Sequence, residues 1–140
     1  MTAGTYIYVA SNAQGFLDYF GFAPDHVTGA VNVNGNDAIE LYQNGAVIDL
    51  LGEVNVDGAN QPWDYLDGWA SRNPGAVASP VFNIADWTFS GRNALDGETS
   101  NATAATPFAL AAFEEVVIAP TFVINEIDAD QTSTDSAEFI

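Results

Sequence analysis

The sequence predicts an all-β protein with one short helix, arranged as a sandwich or a barrel. Three observations lead to this prediction. Short segments rich in β-branched and aromatic residues recur along the chain, and turn signals built on Gly, Asn, Asp and Pro separate them. Several such segments in succession are typical of sandwiches and barrels. With 140 residues, of which 48% are hydrophobic, the chain is long enough to form one ordinary domain with its own core.

The first strand and the only predicted helix lie close together near the N-terminus. Residues 6–10 are aromatic and β-branched, which favours a strand. Asn12 is a good helix N-cap, and residues 13–20 place apolar side chains on one face of two helical turns. Gly21 is placed to end the helix. We therefore expect a helix near residues 12–20.

A β-hairpin is the clearest local prediction in the chain. Residues 37–42 and 46–51 are two strand-like segments, and Asn44-Gly45 lies between them. Asn-Gly between two such segments is the strongest short-range hairpin signal, because both positions adopt positive φ readily. We expect the two segments to pair in antiparallel fashion.

The remaining chain alternates loops with short strand segments. Residues 53–80 and 90–107 are rich in turn-forming residues and predict loops, whereas residues 82–89 predict an irregular strand. Three further strands are expected towards the C-terminus, at residues 116–118, 122–127 and 137–140.

Charge restricts the classes of partner. Nineteen acidic residues oppose two arginines, and the net charge is −17. A nucleic-acid-binding protein needs a basic surface to meet phosphates, so direct nucleic-acid binding is not expected. Anionic membrane surfaces are disfavoured for the same reason, and no apolar stretch approaches the roughly 20 residues of a membrane-spanning helix. The main interpretation of the charge is solubility in salty water, with Ca²⁺ as the natural counter-ion for a specific site.

Several motifs, in this order along the chain, resemble the bacterial lamin-tail-like domain. The similarity covers about residues 3–113 and is carried by segments 6–10, 34–41, 44–52, 63–65, 67–72, Trp87 and 93–97. The resemblance implies an immunoglobulin-like β-sandwich from a secreted bacterial protein. Such domains often lie beside extracellular nucleases, phosphatases or adhesive repeats. It also implies an extracellular location, with any signal peptide outside this chain.

The C-terminal segment departs from the pattern of that family. Residues 122–128 and 137–140 resemble its opening strands, which normally precede the strand corresponding to Tyr6. One interpretation divides the chain into residues 1–119, a module without its opening strands, and residues 120–140, the start of a following module in a tandem array. The alternative is a single permuted module that residues 120–140 complete.

Arg72 is the candidate for a structural latch. It follows an aromatic loop, where its guanidinium could stack on Trp63 or Trp69 and pair with a carboxylate. The candidate carboxylates are Asp49, Asp64 and Asp67.

Two ligand sites are also candidates. Trp63, Tyr65 and Trp69 could form a platform for a carbohydrate, although such aromatic residues more often pack internally. The acidic segment that holds Asp128, Asp130 and Asp135 is a candidate Ca²⁺ site, but it lacks the glycine and the final glutamate of an EF-hand loop.

The sequence favours a non-catalytic accessory module that acts as a spacer or as an adhesion or docking unit. We identify no catalytic residue. The expected partners are neighbouring domains of the same polypeptide, or extracellular proteins and glycans. Two alternatives remain: an accessory part of an extracellular nuclease or phosphatase, and a carbohydrate-binding module. Fold analogy does not decide among them, because function belongs to sites rather than folds.

Overall fold

The computed structural model describes residues 6–112. The regular elements are short and follow one another in this order: β1 (Val9–Ala10), α1 (Ala13–Phe20), β2 (His26–Val27), a 3₁₀ turn (Gly29–Val31), β3 (Ile39–Gln43), β4 (Ala46–Leu51), β5 (Ala70–Arg72), a second 3₁₀ turn (Ile84–Asp86) and β6 (Trp87–Phe89). The strands expected at 116–118, 122–127 and 137–140 lie outside the described residues.

The prediction of an all-β, immunoglobulin-like β-sandwich is wrong for the described part of the chain. Its six strands form three separate two-stranded sheets, β1–β2, β3–β4 and β5–β6, and no closed sandwich. Four of the strands are only two or three residues long. In the long segments between the strands, backbone amides donate hydrogen bonds to carbonyls within turns and loops or to side chains, rather than to a neighbouring strand. Turn signals indicate where a strand can end, but they do not show which strands become neighbours.

The predicted N-terminal helix is confirmed. The Asn12 side chain accepts a hydrogen bond from the Gly15 amide at 3.0 Å, and Gly21 ends the helix at φ 82° with its amide donating to the Leu17 carbonyl. The strand before it is shorter than expected, because the Tyr8 amide donates to the Asp25 carboxylate rather than to a strand. The helix connects β1 to β2, which pair in parallel.

The predicted hairpin is also confirmed. Strands β3 and β4 pair antiparallel, from Ile39 opposite Leu51 to Gln43 opposite Ala46. Asn44 and Gly45 have φ values of 51° and 82°, which are the two positive φ angles that a tight hairpin turn requires.

The second antiparallel pair joins segments that are distant in sequence. Strands β5 and β6 align Ala70 with Phe89 and Arg72 with Trp87. The irregular strand predicted over residues 82–89 is therefore regular only in its last three residues.

The core is small and centres on the aromatic loop. The buried apolar residues are Ala10, Leu51, Trp63 and Tyr65, and the buried polar residue is Asp64. Trp63 is the largest fully buried side chain, with 2% exposure. Within residues 6–112, no helix has the length and apolar character required to cross a membrane.

Candidate functional site

The loop that carries the Trp63 to Tyr65 segment holds a carboxylate inside the protein. The Asp64 side chain is 2% exposed and accepts hydrogen bonds from the backbone amides of Asn60 at 2.7 Å and Leu66 at 3.1 Å. Arg92 approaches it at 3.4 Å and donates to the Asn60 side-chain oxygen at 2.7 Å. Asp64 thus closes the loop on itself and ties it to the segment around residue 92.

These contacts also determine the protonation state of Asp64. The hydrogen bond from the Asn60 amide is the main cause that lowers the pKa of Asp64 below its ordinary value of 3.8. The Leu66 amide and the positive charge of Arg92 lower the pKa further, while desolvation opposes them. Asp64 is therefore ionised at neutral pH, where it can accept hydrogen bonds but has no proton to donate as a general acid.

Trp63 is held by close contacts with backbone. An added Cβ at Gly58 would overlap the Trp63 ring and the Asn36 carbonyl, and one at Gly52 would press on the same ring. Phe82 packs against Trp63 edge to face, with 6.2 Å between ring centroids. Both glycines are required because the chain passes too close to the indole for a side chain.

The three aromatic residues of the predicted carbohydrate platform do not form one surface. Trp63 packs on Phe82, Tyr65 is 9% exposed and packs on Phe89 at 6.1 Å, and Trp69 donates its indole N–H to the Thr106 carbonyl at 2.9 Å. A sugar stacks on an open ring face, and the faces of Trp63 and Tyr65 are covered by the protein. The structure therefore does not bring the three rings into one exposed platform, and Trp63 and Tyr65 pack inside the protein.

Arg72 lies between a carboxylate and an aromatic ring, but the ring is not one that the sequence indicated. Its guanidinium is 2.5 Å from Asp49, one of the three candidate carboxylates, and donates to the Val77 carbonyl at 3.0 Å. The ring beneath it is Trp87, at 4.2 Å from the guanidinium carbon to the ring centroid. Trp63 and Trp69 have the other contacts described above.

Trp87 is the site residue that sequence reasoning missed. It stands directly across the β5–β6 pair from Arg72, and cross-strand neighbours are close enough to stack. The signal was present, since a Trp-containing strand was predicted over residues 82–89. Identifying Trp87 as the ring that stacks on Arg72 also requires knowing that this strand pairs with residues 70–72.

The Asp49 carboxylate contacts three segments of the chain around Arg72. Besides Arg72, its carboxylate accepts hydrogen bonds from the amides of Leu50 and Ser79, both at 3.1 Å. Strand β4, strand β5 and the loop that follows β5 therefore meet at one partly buried carboxylate.

An open groove lies beside this latch. Its volume is about 460 Å³, and its walls include residues 6–8, all three residues of β5, and Phe108, Ala109, Ala111 and Ala112. The Tyr6 hydroxyl donates to the Ala111 carbonyl at 2.9 Å, which joins the two ends of the described chain. Tyr6 and Ile7 remain 41% and 40% exposed, so the groove presents apolar surface to solvent.

A second depression, of about 420 Å³, is acidic rather than apolar. Its lining includes four carboxylate residues, Asp37, Glu40, Glu53 and Asp57. Within residues 6–112, however, no group of three or more His, Cys, Asp or Glu side chains has an arrangement that could hold a metal ion. The candidate Ca²⁺ residues Asp128, Asp130 and Asp135 lie outside the described part of the chain.

No family model, curated protein sequence or solved structure matches this chain. The resemblance to the lamin-tail-like domain therefore stays a prediction from the motifs in the sequence.

Proposed function

We propose that this chain is a non-catalytic accessory module of an extracellular protein, and that it docks against a neighbouring domain or another extracellular protein. The observation that supports docking is the apolar face of the β3–β4 hairpin. Leu41 is 57% exposed and Ile39 is 38% exposed. Together with Leu50, Leu51, Trp87 and Asp49, which is paired with Arg72, they line a depression of about 250 Å³.

The edges of the hairpin support the same proposal. Among the described residues, β3 and β4 pair only with each other, so each strand has an outer edge without a strand partner. Open strand edges beside apolar side chains are a common template for another chain. The hairpin thus offers both backbone hydrogen-bonding groups and apolar surface to a partner.

Charge favours one kind of partner surface. The chain carries a net charge of −17, and charge complementarity across an interface raises association rates and discriminates against like-charged partners. The partner surface is expected to be apolar at its centre and basic at its rim.

Three charged side chains that a reaction could use are instead engaged in structural contacts, and this supports a non-catalytic role. Asp64 is bonded to two backbone amides, Arg92 bridges Asp64 and Asn60, and Arg72 is held between Asp49 and Trp87.

The docking proposal is tested by amide hydrogen exchange on the isolated chain and on its intact parent polypeptide. We expect β3 and β4 to exchange more slowly in the parent, and Leu41→Asp to remove that protection. Val27→Asp is the matched control, because Val27 is 56% exposed but lies on β2, which is not part of the hairpin.

Equal exchange of the hairpin in the two samples, with no protection added by a separately supplied extracellular partner, would contradict docking through this face. Hydrolysis of DNA or of a phosphate ester by the purified chain would contradict the non-catalytic assignment.

A further inference from the structure

The groove beside the Arg72 latch has the features of a site for an extended strand. All three residues of β5 line it, and β5 pairs only with β6 among the described residues, which leaves its second edge without a strand partner. On another wall, the backbone of Ile7 makes no hydrogen bond within residues 6–112. Apolar walls next to open backbone groups favour an occupant that supplies both apolar side chains and a hydrogen-bonding backbone.

We propose that this groove receives residues 122–127 of the same chain as an added strand. This inference concerns a different surface from the hairpin face and does not rest on the proposed function. The segment Phe122-Val123-Ile124-Asn125-Glu126-Ile127 is mostly apolar and β-branched or aromatic, which suits a strand covered by other parts of the protein.

The position of the segment along the chain makes the groove accessible to it. The described chain ends at Ala112, which is itself part of the groove wall. Residues 113–121 separate Ala112 from the segment, and a linker of this length reaches about 30 Å when fully extended. A linker of nine residues is therefore long enough to bring the segment back to the groove wall from which it starts.

The short linker also favours the chain's own segment over that of a second copy. A segment joined to its site by a short stretch of the same chain is present there at an effective concentration of about a millimolar or more. A second copy in dilute solution is present at a much lower concentration and offers the same sequence, so the intramolecular contact forms first.

The test uses paired cysteine substitutions in the full chain, which has no cysteine of its own. Ala78→Cys places one thiol in the groove wall, at an exposed residue far in sequence from the C-terminal segment. The second thiol is introduced at each position from 122 to 127 in turn. The matched control replaces Ala78→Cys by Asn44→Cys, in the hairpin turn and outside the groove lining.

We expect a disulfide within the monomer, formed at a rate that does not depend on protein concentration. Its rate should exceed that of the Asn44→Cys control by about fivefold or more, given the effective concentration of a seated segment. Because strand side chains alternate between two sides, the rate should also rise and fall with a period of two along residues 122–127.

Two results of the cysteine experiment would overturn the proposal. Disulfide-linked dimers whose yield rises with concentration would show that the occupant is a second copy. Rates equal to those of the control, without alternation, would show that the segment does not occupy the groove. Amide exchange on the unsubstituted chain provides an independent readout, because a seated strand exchanges slowly and rapid exchange throughout residues 122–127 contradicts the proposal.

Discussion

At the scale of single residues, the two arginines connect parts of the chain that are distant in sequence. Arg72 joins strand β5 to Asp49 on β4 and to Trp87 on β6. Arg92 joins its own segment to Asn60 and Asp64. The difference between them is burial, since the Arg72 side chain is 12% exposed and the Arg92 side chain is 43% exposed. Exposure weakens an ion pair through solvent screening, so their contributions to stability should differ.

We predict that Arg72→Met lowers the free energy of unfolding by about 2 kcal/mol, because it leaves a partly buried Asp49 without its cation. Arg92→Met is the matched control and should cost less than about 1 kcal/mol, as exposed pairs do. Urea unfolding followed by tryptophan fluorescence measures both. Equal losses for the two variants would contradict the assignment of Arg72 as the structural latch.

Asp64 gives a pH-dependent prediction. Because its pKa is lowered in the folded protein, it stabilises the fold at pH values above the ordinary pKa of 3.8. This contribution falls as the unfolded chain takes up the proton first, and it is lost once the pH drops through the folded pKa. Asp64→Asn should therefore cost about 2 kcal/mol at neutral pH, where an amide group would face a backbone N–H donor.

The cost of Asp64→Asn should shrink as the pH falls from about 5 to about 3. Unfolding midpoints at several pH values measure this change. Asp96→Asn, at an exposed residue, controls for the loss of one negative charge. A cost that stays constant across this pH range would show that the carboxylate of Asp64 is not selectively stabilised in the folded state.

At the scale of elements, the helix and the hairpin are held by local contacts, while the remaining strands are held by long-range ones. Helix α1 has its Asn12 cap and Gly21 terminus within a few residues of one another, and the hairpin is closed by Asn44-Gly45. Strands β1, β2, β5 and β6 are short and depend on partners across intervening loops. The local elements are therefore expected to tolerate changes in the rest of the chain better than the others do.

We predict that Gly45→Ala destabilises the protein by about 1 kcal/mol, because φ 82° is unfavourable for a residue with a Cβ. Gly29→Ala is the control, since an added Cβ there meets no atom within 4 Å and the backbone is not in the positive-φ region. Thermal unfolding by circular dichroism measures both. If Gly29→Ala lowered the stability as much as Gly45→Ala, the protein would be sensitive to an added methyl group in general, and the φ angle of the turn would not explain the effect.

At the scale of the whole molecule, self-repulsion among acidic groups opposes the folded state. A net charge of −17 on 140 residues creates a negative field that salt reduces by screening. A specific cation site would add a second effect, because a ligand that binds only the folded protein raises its melting temperature. The two effects can be separated by comparing salts.

We predict that NaCl raises the melting temperature through screening. If Asp128, Asp130 and Asp135 hold Ca²⁺, CaCl₂ should raise it further at equal ionic strength. Replacing all three residues by Asn should remove the additional increase and leave the NaCl effect in place. Identical increases with the two salts would reject the Ca²⁺ site and leave screening as the explanation.

Much of the candidate site could not be predicted from the sequence, because it depends on which strands become neighbours. The sandwich prediction failed for the same reason. Asp49 was one of three candidate partners of Arg72, and the choice among them depends on β4 lying beside β5. Trp87 became the stacking partner only because β6 pairs with β5. The burial of Asp64 depends on Arg92 and on a loop that folds back on itself.

Residues that lie close together in the sequence determine the helix near residues 12–20 and the hairpin around Asn44-Gly45, because helix caps and turn residues act on their immediate neighbours. The composition likewise determined the strong negative charge. Contacts between distant parts of the chain account for the rest: the strands form three separate pairs, Trp63 and Tyr65 are buried, and Arg72 stacks on Trp87. The physical reason is that long-range pairing depends on closing loops and matching surfaces across the chain, which local propensity does not encode.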